Sequence, residues 1–278
     1  MRLLVGYDGS DGGRDALELA RVLAGMTDAG ALVVTVLPYG PLPVSYAVLG
    51  PEEGKETEPL FEQAREALAG IEVETRAYGG GSPAEVMNDL AEAEQVDLIV
   101  VGSPHRGAIG RAVIGSVAEG LLHGAPCPVV AAPRGYAGER HDPFRTIAVA
   151  FDGTAEAKAA LARAEDLARV TNGTIRILTV AEPTVAIPGA VGYTPPLPPD
   201  PEEIVREGIA TVDRRLAAEG RSLSGPAADV IAETCEEGVD LLVAGSRRYG
   251  PVTRVLLGSV STRLIHTAPC PVLVVPRP

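Results

Sequence analysis

Cysteine is scarce in this chain. Three thiols in 278 residues make no disulfide framework. Cys127 and Cys270 are each wedged between prolines at a strand start, and Cys235 sits in a helical pattern with no partner in view. Neither proline-flanked thiol has metal-ligand spacing with another cysteine or a histidine. Basic residues are also in the minority, 24 Lys+Arg against 37 Asp+Glu, for a net charge of −13. That balance argues against nonspecific nucleic-acid binding and against an anionic membrane surface as the main partner. An anionic small molecule stays compatible, because backbone amides hold phosphate whatever the net charge. No run approaches the roughly 20 apolar residues that span a bilayer. The opening MRLLVGYDGS is too short in apolar length for a signal peptide and leads straight into a strand pattern, so a cytoplasmic location is expected. There is no Ser-His-Asp order, no paired carboxylates in a glycine turn and no Walker lysine.

What the chain does have is repetition. GSPHRGAIGRAVIGS at 102–116 returns as GSRRYGPVTRVLLGS at 245–259, with the same spacing between the outer glycines. LLVGYDGS at 3–10 returns as IAVAFDGT at 147–154, and VDLIVVGS at 96–103 as VDLLVAGS at 239–246. HGAPCPVVAAP at 123–133 returns as HTAPCPVLVVP at 266–276. Leu17, Ala20, Leu23 and Ala24 are matched by Leu161, Ala164, Leu167 and Ala168. The order is kept nearly end to end, and the period is too long for a solenoid, so the chain reads as a duplicated domain. The length suits two domains of about 140 residues. The expected bounds are 1–139 and 144–278, joined by the polar, glycine-containing stretch RGYAGERHDPF at 134–144. The proline-dense GYTPPLPPDPEE, 192–203, reads as a surface loop.

In the first half, short apolar runs at 3–7, 31–37, 98–101 and 128–132, with an alternating run at 71–77, read as strands. Helical patterns at 11–25, 56–69, 83–94 and 116–123 separate them. The order βαβαβαβαβ predicts an α/β fold of two tandem doubly wound, Rossmann-like parallel-sheet domains. Ligands of such sheets sit outside the carboxyl ends of the strands, where the winding changes direction. With the helix before it taken to end near Ala218, too few residues remain before Pro226 for a full third strand in the second half. That strand is expected to be shortened or missing, and run 71–77 is expected at the sheet edge of the first half.

Gly102 and Gly245 end buried strands, while Gly115-Ser116 and Gly258-Ser259 open helices. A glycine lets a backbone approach a ligand closely, and a helix N-terminus offers unpaired amides. This combination suits phosphate; the alternative for each serine is a plain helix cap. His123 and His266, at a helix end before APCP, read as groups satisfying terminal carbonyls. Arg106, Arg111 and Arg254 read as solvated loop residues.

Together these motifs resemble the universal stress protein family in its tandem form, over essentially the whole chain. The family's nucleotide-binding members carry G-x2-G-x9-G-[ST] after the fourth strand, an aspartate after the first, and an APCPV segment. Here the aspartates are Asp8 and Asp152, and APCPV stands at 125–129 and 268–272. The resemblance implies a fold like that of the adenine nucleotide alpha hydrolases, and ATP or a related adenine nucleotide in each half, with or without Mg. It implies Asp8 and Asp152 near ribose and adenine, and Val36 and Val180 lining the adenine slot; without it, both valines are simply core. Phosphates would fall to Gly102, Gly115, Ser116, Gly245, Gly258 and Ser259. It further implies a stress-response regulator or sensor whose final strands, PVVAAP and PVLVVP, pair the two domains internally, with a homodimer as a further option. The middle glycine is absent from both loops, replaced by His105 and Arg248. Either side chain can contact phosphate, but a Cβ there costs roughly 1–2 kcal/mol if the backbone needs positive φ. Two alternatives stay open: a nonbinding scaffold, and a slow ATP hydrolase for which only His105 offers itself as a base.

Overall fold

The structure is a computed structural model and describes residues 1–37, 47–50, 52, 54–102, 116–122, 124–181, 200–246 and 258–276. The first half runs β1 (Arg2–Gly6), α1 (Asp11–Thr27), β2 (Gly30–Leu37), β3 (Ala47–Val48), α2 (Glu58–Ala67), β4 (Val73–Gly79), α3 (Pro83–Ala93), β5 (Leu98–Gly102), α4 (Ser116–Leu122), β6 (Val129–Ala132). The second runs β7 (Thr146–Ala150), α5 (Ala155–Thr171), β8 (Thr174–Ala181), α6 (Pro201–Thr211), β9 (Ala217–Ser224), α7 (Ala227–Cys235), β10 (Leu241–Gly245), α8 (Ser259–Thr267), β11 (Val272–Val275).

All described strands join one sheet, in the order β3-β4-β2-β1-β5-β6-β11-β10-β7-β8-β9. Within each half the main strands are parallel. At the centre β6 and β11 run antiparallel, with Leu273 opposite Val130. Strand alternation feeds two core layers. Leu3 and Val5 of β1 face the layer that holds α1 residues such as Leu17 and Leu23, while Leu4 faces the layer holding Met87 and Leu121. Both layers run on into the second half, through Leu161 and Ile177 on one side and Ile231 and Leu264 on the other. Each fully buried Leu, Ile or Val contributes about 1.5–3 kcal/mol. The repeat extends to the helix caps. Ser10 and Thr154 accept hydrogen bonds from the Gly13 and Ala157 amides, at 3.1 and 3.3 Å, and Asp28 and Asn172 close α1 and α5 in the left-handed region.

Three expectations need correction. The third strand of the second half is complete: β9 has eight residues and pairs with β8 from Thr174↔Ala217 to Ala181↔Ser224. The mistake lay in the helix end. α6 stops at Thr211, and a turn closed by the Leu216 amide on the Asp213 carbonyl precedes the strand. AAEGRSLS hides its strand character because it is an outer strand with few buried side chains, and because Gly220 stands where α6 packs tightly. A Cβ there would run into Val205 and lie 2.9 Å from Ile209 Cδ1. In the first half β4 is not the outermost strand, since the two-residue β3 pairs antiparallel with its end. Finally, the "surface loop" at 192–203 lies outside the described residues up to 199, and after Asp200 its last three residues begin α6. Asp200 caps the helix by accepting from the Glu202 amide (3.0 Å), and Pro201 takes the first turn, where no amide is needed.

The joint between the halves is docked rather than loose. Asp15 of α1, 2% exposed, accepts from the Gly135 and Ala137 amides at 2.9 and 2.8 Å. Glu18 accepts from the His141 amide (3.1 Å), Arg21 donates to the His141 carbonyl (2.8 Å), and the His141 ring stacks on Tyr136. Burial pushes the Tyr136 phenol well up, and Glu18 adds to the rise.

Candidate functional site

In the first half the strand order β4-β2-β1-β5-β6 reverses winding between β1 and β5, since the chain leaves β1 toward β2 and returns on β1's other side as β5. Helix α1 covers one face and α3 and α4 the other. The carboxyl ends of β1 and β5 therefore open into the crevice that this topology creates. Asp8 lies just past the end of β1, and Gly102 is the last residue of β5. The second half repeats the arrangement, with the reversal between β7 and β10, Asp152 beyond β7 and Gly245 ending β10. Both aspartates are exposed, and both glycines are half-buried.

Each aspartate begins a tight turn into a helix. Asp8 Oδ1 accepts from the Ser10 amide (3.0 Å), and Asp152 Oδ1 from the Thr154 amide (3.1 Å) and hydroxyl (2.6 Å). Gly9 and Gly153, at φ 78° and 77°, make the left-handed step between them, which other residues take only under strain. Behind the turns lie two buried hydroxyls that sequence reading missed. Thr35 Oγ1 donates to the Tyr7 carbonyl (2.7 Å) and Thr179 Oγ1 to the Phe151 carbonyl (2.8 Å). Their signal was the repeated Thr-Val step before the expected valines. Tyr7 also donates its phenol to Gln63 (2.7 Å); burial pushes that phenol up, Arg14 opposes the rise and Asp8 adds to it.

The two strand-end glycines have a reason that sequence reading did not anticipate. A Cβ on Gly102 would overlap the Gly12 carbonyl and sit 2.8 Å from its Cα. On Gly245 it would lie 2.7 Å from the Glu156 oxygen. Each glycine lets the first turn of α1 or α5 press onto the neighbouring strand end, bringing the aspartate turn close to it. In the second half Gly258 caps α8 with extended backbone, and Ser259, exposed, is its first residue. Ser261, 5% exposed, donates to the Gly245 carbonyl (3.0 Å), tying the two ends of the glycine loop together. The corresponding first-half residue is Ala118, so this tie has no equivalent there. α4 opens at Ser116.

Val36 and Val180 are half-buried near the ends of β2 and β8 and pack against the layer that carries α3 and α7. The structure thus brings Asp8, Val36 and Gly102 to one end of the sheet, and Asp152, Val180 and Gly245 likewise, with Gly258 and Ser259 bound to that end through Ser261. His105, Gly115 and Arg248 lie outside the described residues, as do His123, Arg106, Arg111 and Arg254. Among the described residues no cluster of three His, Cys, Asp or Glu could hold a metal ion, and no helix is long and apolar enough to cross a membrane. Cys235 does have a partner: its thiol meets that of Cys270, and this contact, with burial, raises the Cys270 pKa well above the usual thiol range.

The sequence model of the universal stress protein family matches residues 1–133 and again 143–276. The chain belongs to this family. A universal stress protein of Mycolicibacterium smegmatis is 30% identical over 297 residues, covering 98% of this chain and 96% of its own. One from Mycobacterium tuberculosis is 29% identical over 298 residues, with 99% and 100% covered. Among solved structures, a universal stress protein from Archaeoglobus fulgidus superposes with a TM-score of 0.74 at 23% identity. It covers 100% of this chain and 98% of that one, a likeness of fold.

Proposed function

We propose that this universal stress protein binds ATP or a related adenine nucleotide at the carboxyl end of the sheet in each half, and acts in stress response as a regulator or sensor. The observation that carries the reading is the paired site. Two switch points present the same acidic turn beside the same close-packed glycine, and in the second half the frame closes on a capped helix start that is exposed at Ser259. Ligands of doubly wound sheets bind in such a crevice, and here it offers exposed carboxylate acceptors for ribose hydroxyls and helix-start amides for phosphate. Asp8, Val36 and Gly102 with Gly115 and Ser116 would hold one nucleotide. Asp152, Val180, Gly245, Gly258 and Ser259 would hold the other, with His105 and Arg248 reaching phosphate from the loops. Lacking a carboxylate cluster among the described residues, the site would receive any Mg with the phosphates. The reading also takes 1–139 and 144–278 as domains paired internally through β6 and β11, in the cytoplasm.

The test is to denature the purified protein and look for released nucleotide, then to titrate ATP into chains with one loop blocked by Gly115→Asp or Gly258→Asp. Two sites, each lost with its own block, are expected. The absence of the family's middle glycine from both loops, where His105 and Arg248 stand instead, favours one second reading, a nonbinding scaffold. No released nucleotide and no heat on titration, together with tighter binding once glycine is restored at 105 and 248, would make that reading the better one.

A further inference from the structure

Of the features that the proposed nucleotide reading does not use, the two buried threonines carry the most. Thr35 and Thr179 are each 2% exposed, and each stands one residue beyond the last regular pair of the β1–β2 or β7–β8 ladder. A buried hydroxyl costs free energy unless it is hydrogen-bonded, and valine would fill the same volume without that demand. Both halves nonetheless place a hydroxyl here and give it the same job, while neighbouring positions differ (Tyr7 against Phe151, Ser10 against Thr154).

That job is to fix one peptide plane. The Tyr7 amide donates to the Val34 carbonyl at 3.0 Å and the Phe151 amide to the Leu178 carbonyl at 2.9 Å. With the threonine hydroxyls on the Tyr7 and Phe151 carbonyls, the residue before each aspartate is held at both ends. The peptide linking it to the aspartate cannot rotate without breaking a buried hydrogen bond, so the direction in which the aspartate leaves the strand is set from behind. From the front, the Ser10 or Thr154 amide holds Oδ1. A carboxylate has acceptor capacity for about four hydrogen bonds, and a ribose diol brings two hydroxyl donors.

We infer that Thr35 and Thr179 are positioning residues that aim Asp8 and Asp152 at the ribose hydroxyls of the nucleotide, making each site select for a ribose that keeps its 2′ and 3′ hydroxyls. This rests on the nucleotide reading above. The hydroxyl acts only through the aspartate, so its loss weakens the sugar contact and spares base and phosphate contacts.

The test compares ATP with 2′,3′-dideoxy-ATP by calorimetry, in a Gly258→Asp background that leaves only the first half. Thr35→Val is expected to weaken ATP about 5- to 10-fold and to leave the dideoxy analogue within about two-fold, so that the preference for ATP collapses. Asp8→Asn should collapse the same preference, and Thr35→Ser should restore it. A Thr35→Val loss equal for both ligands, or no loss, overturns the inference while leaving the nucleotide reading intact. No binding of either ligand by the parent chain overturns both. Should Thr35→Val fail to fold, Thr179→Val in a Gly115→Asp background gives the same comparison for the second half.

Discussion

Replacing Gly102 by alanine tests the packing at the centre of the proposed site. The added Cβ would overlap the Gly12 carbonyl and stand 2.8 Å from Gly12 Cα, whereas carbon atoms settle at roughly 3.5–4.0 Å. Backbone cannot swing aside as a side chain can, so the first turn of α1 must retreat as a body. That turn is anchored by the Ser10 cap, the Asp8 carboxylate and the buried Gly12 and Gly13. Overpacking of this kind costs about 1–3 kcal/mol and sometimes more; with a direct backbone overlap, about 4 kcal/mol is expected. Gly245→Ala meets the Glu156 carbonyl oxygen at 2.7 Å, a milder conflict, and about 2 kcal/mol is expected. For chains of this size 1 kcal/mol moves the melting temperature by roughly 2–4 °C, giving falls near ~12 °C and ~6 °C. Urea titration and calorimetry of the two variants measure this directly. A Gly102→Ala chain within about 0.5 kcal/mol of the parent would refute the packing argument, and so would a Gly245→Ala chain hurt equally or more.

The opposite sign is expected at Gly25, which is exposed inside α1 with nothing near its Cα hydrogen positions; Gly25→Ala should raise stability by about 0.5–1 kcal/mol in the same assay. Asp15→Ala removes the acceptor of two amides in the docked joint, and a loss of about 2–3 kcal/mol by urea titration is expected. Burial pushes the Glu18 carboxyl up, but hydrogen bonds from Arg21 and the His141 amide outweigh it and hold the pKa below its ordinary value. Its stabilisation is therefore present above about pH 4.3 and is lost as pH falls through the lower folded value. Glu18→Gln should lower stability at pH 7 and flatten that acid limb. Burial, with Asp97 adding, pushes the Cys127 thiol up to about 12, and all three thiols are buried. A thiol reagent at pH 8 should label none of them in the native chain and all three in denaturant; rapid native labelling would contradict this burial.

The duplication, the alternation of strands and helices, the aspartates and the glycine frame were all written in the local sequence. Each depends on short-range pattern: period-2 apolar runs for strands such as β1, a 3.6-residue stripe for α1, and motifs recurring about 143 positions apart. Where the pattern is weak, local reading failed. AAEGRSLS looks like the end of a helix because alanine, glutamate and arginine favour helices, and only its pairing along the whole of β8 makes it a strand. The purpose of Gly102 and Gly245 is likewise invisible in sequence, since the atoms that forbid a side chain belong to α1 and α5, far along the chain. Tertiary structure alone decided that Asp15 holds the joint, that Cys235 meets Cys270, and that Thr35 and Thr179 grip the carbonyls behind the aspartates. The physical reason is common to all: a hydrogen bond or a close contact is a property of a pair, and the partner is chosen by the fold rather than by the neighbouring residues.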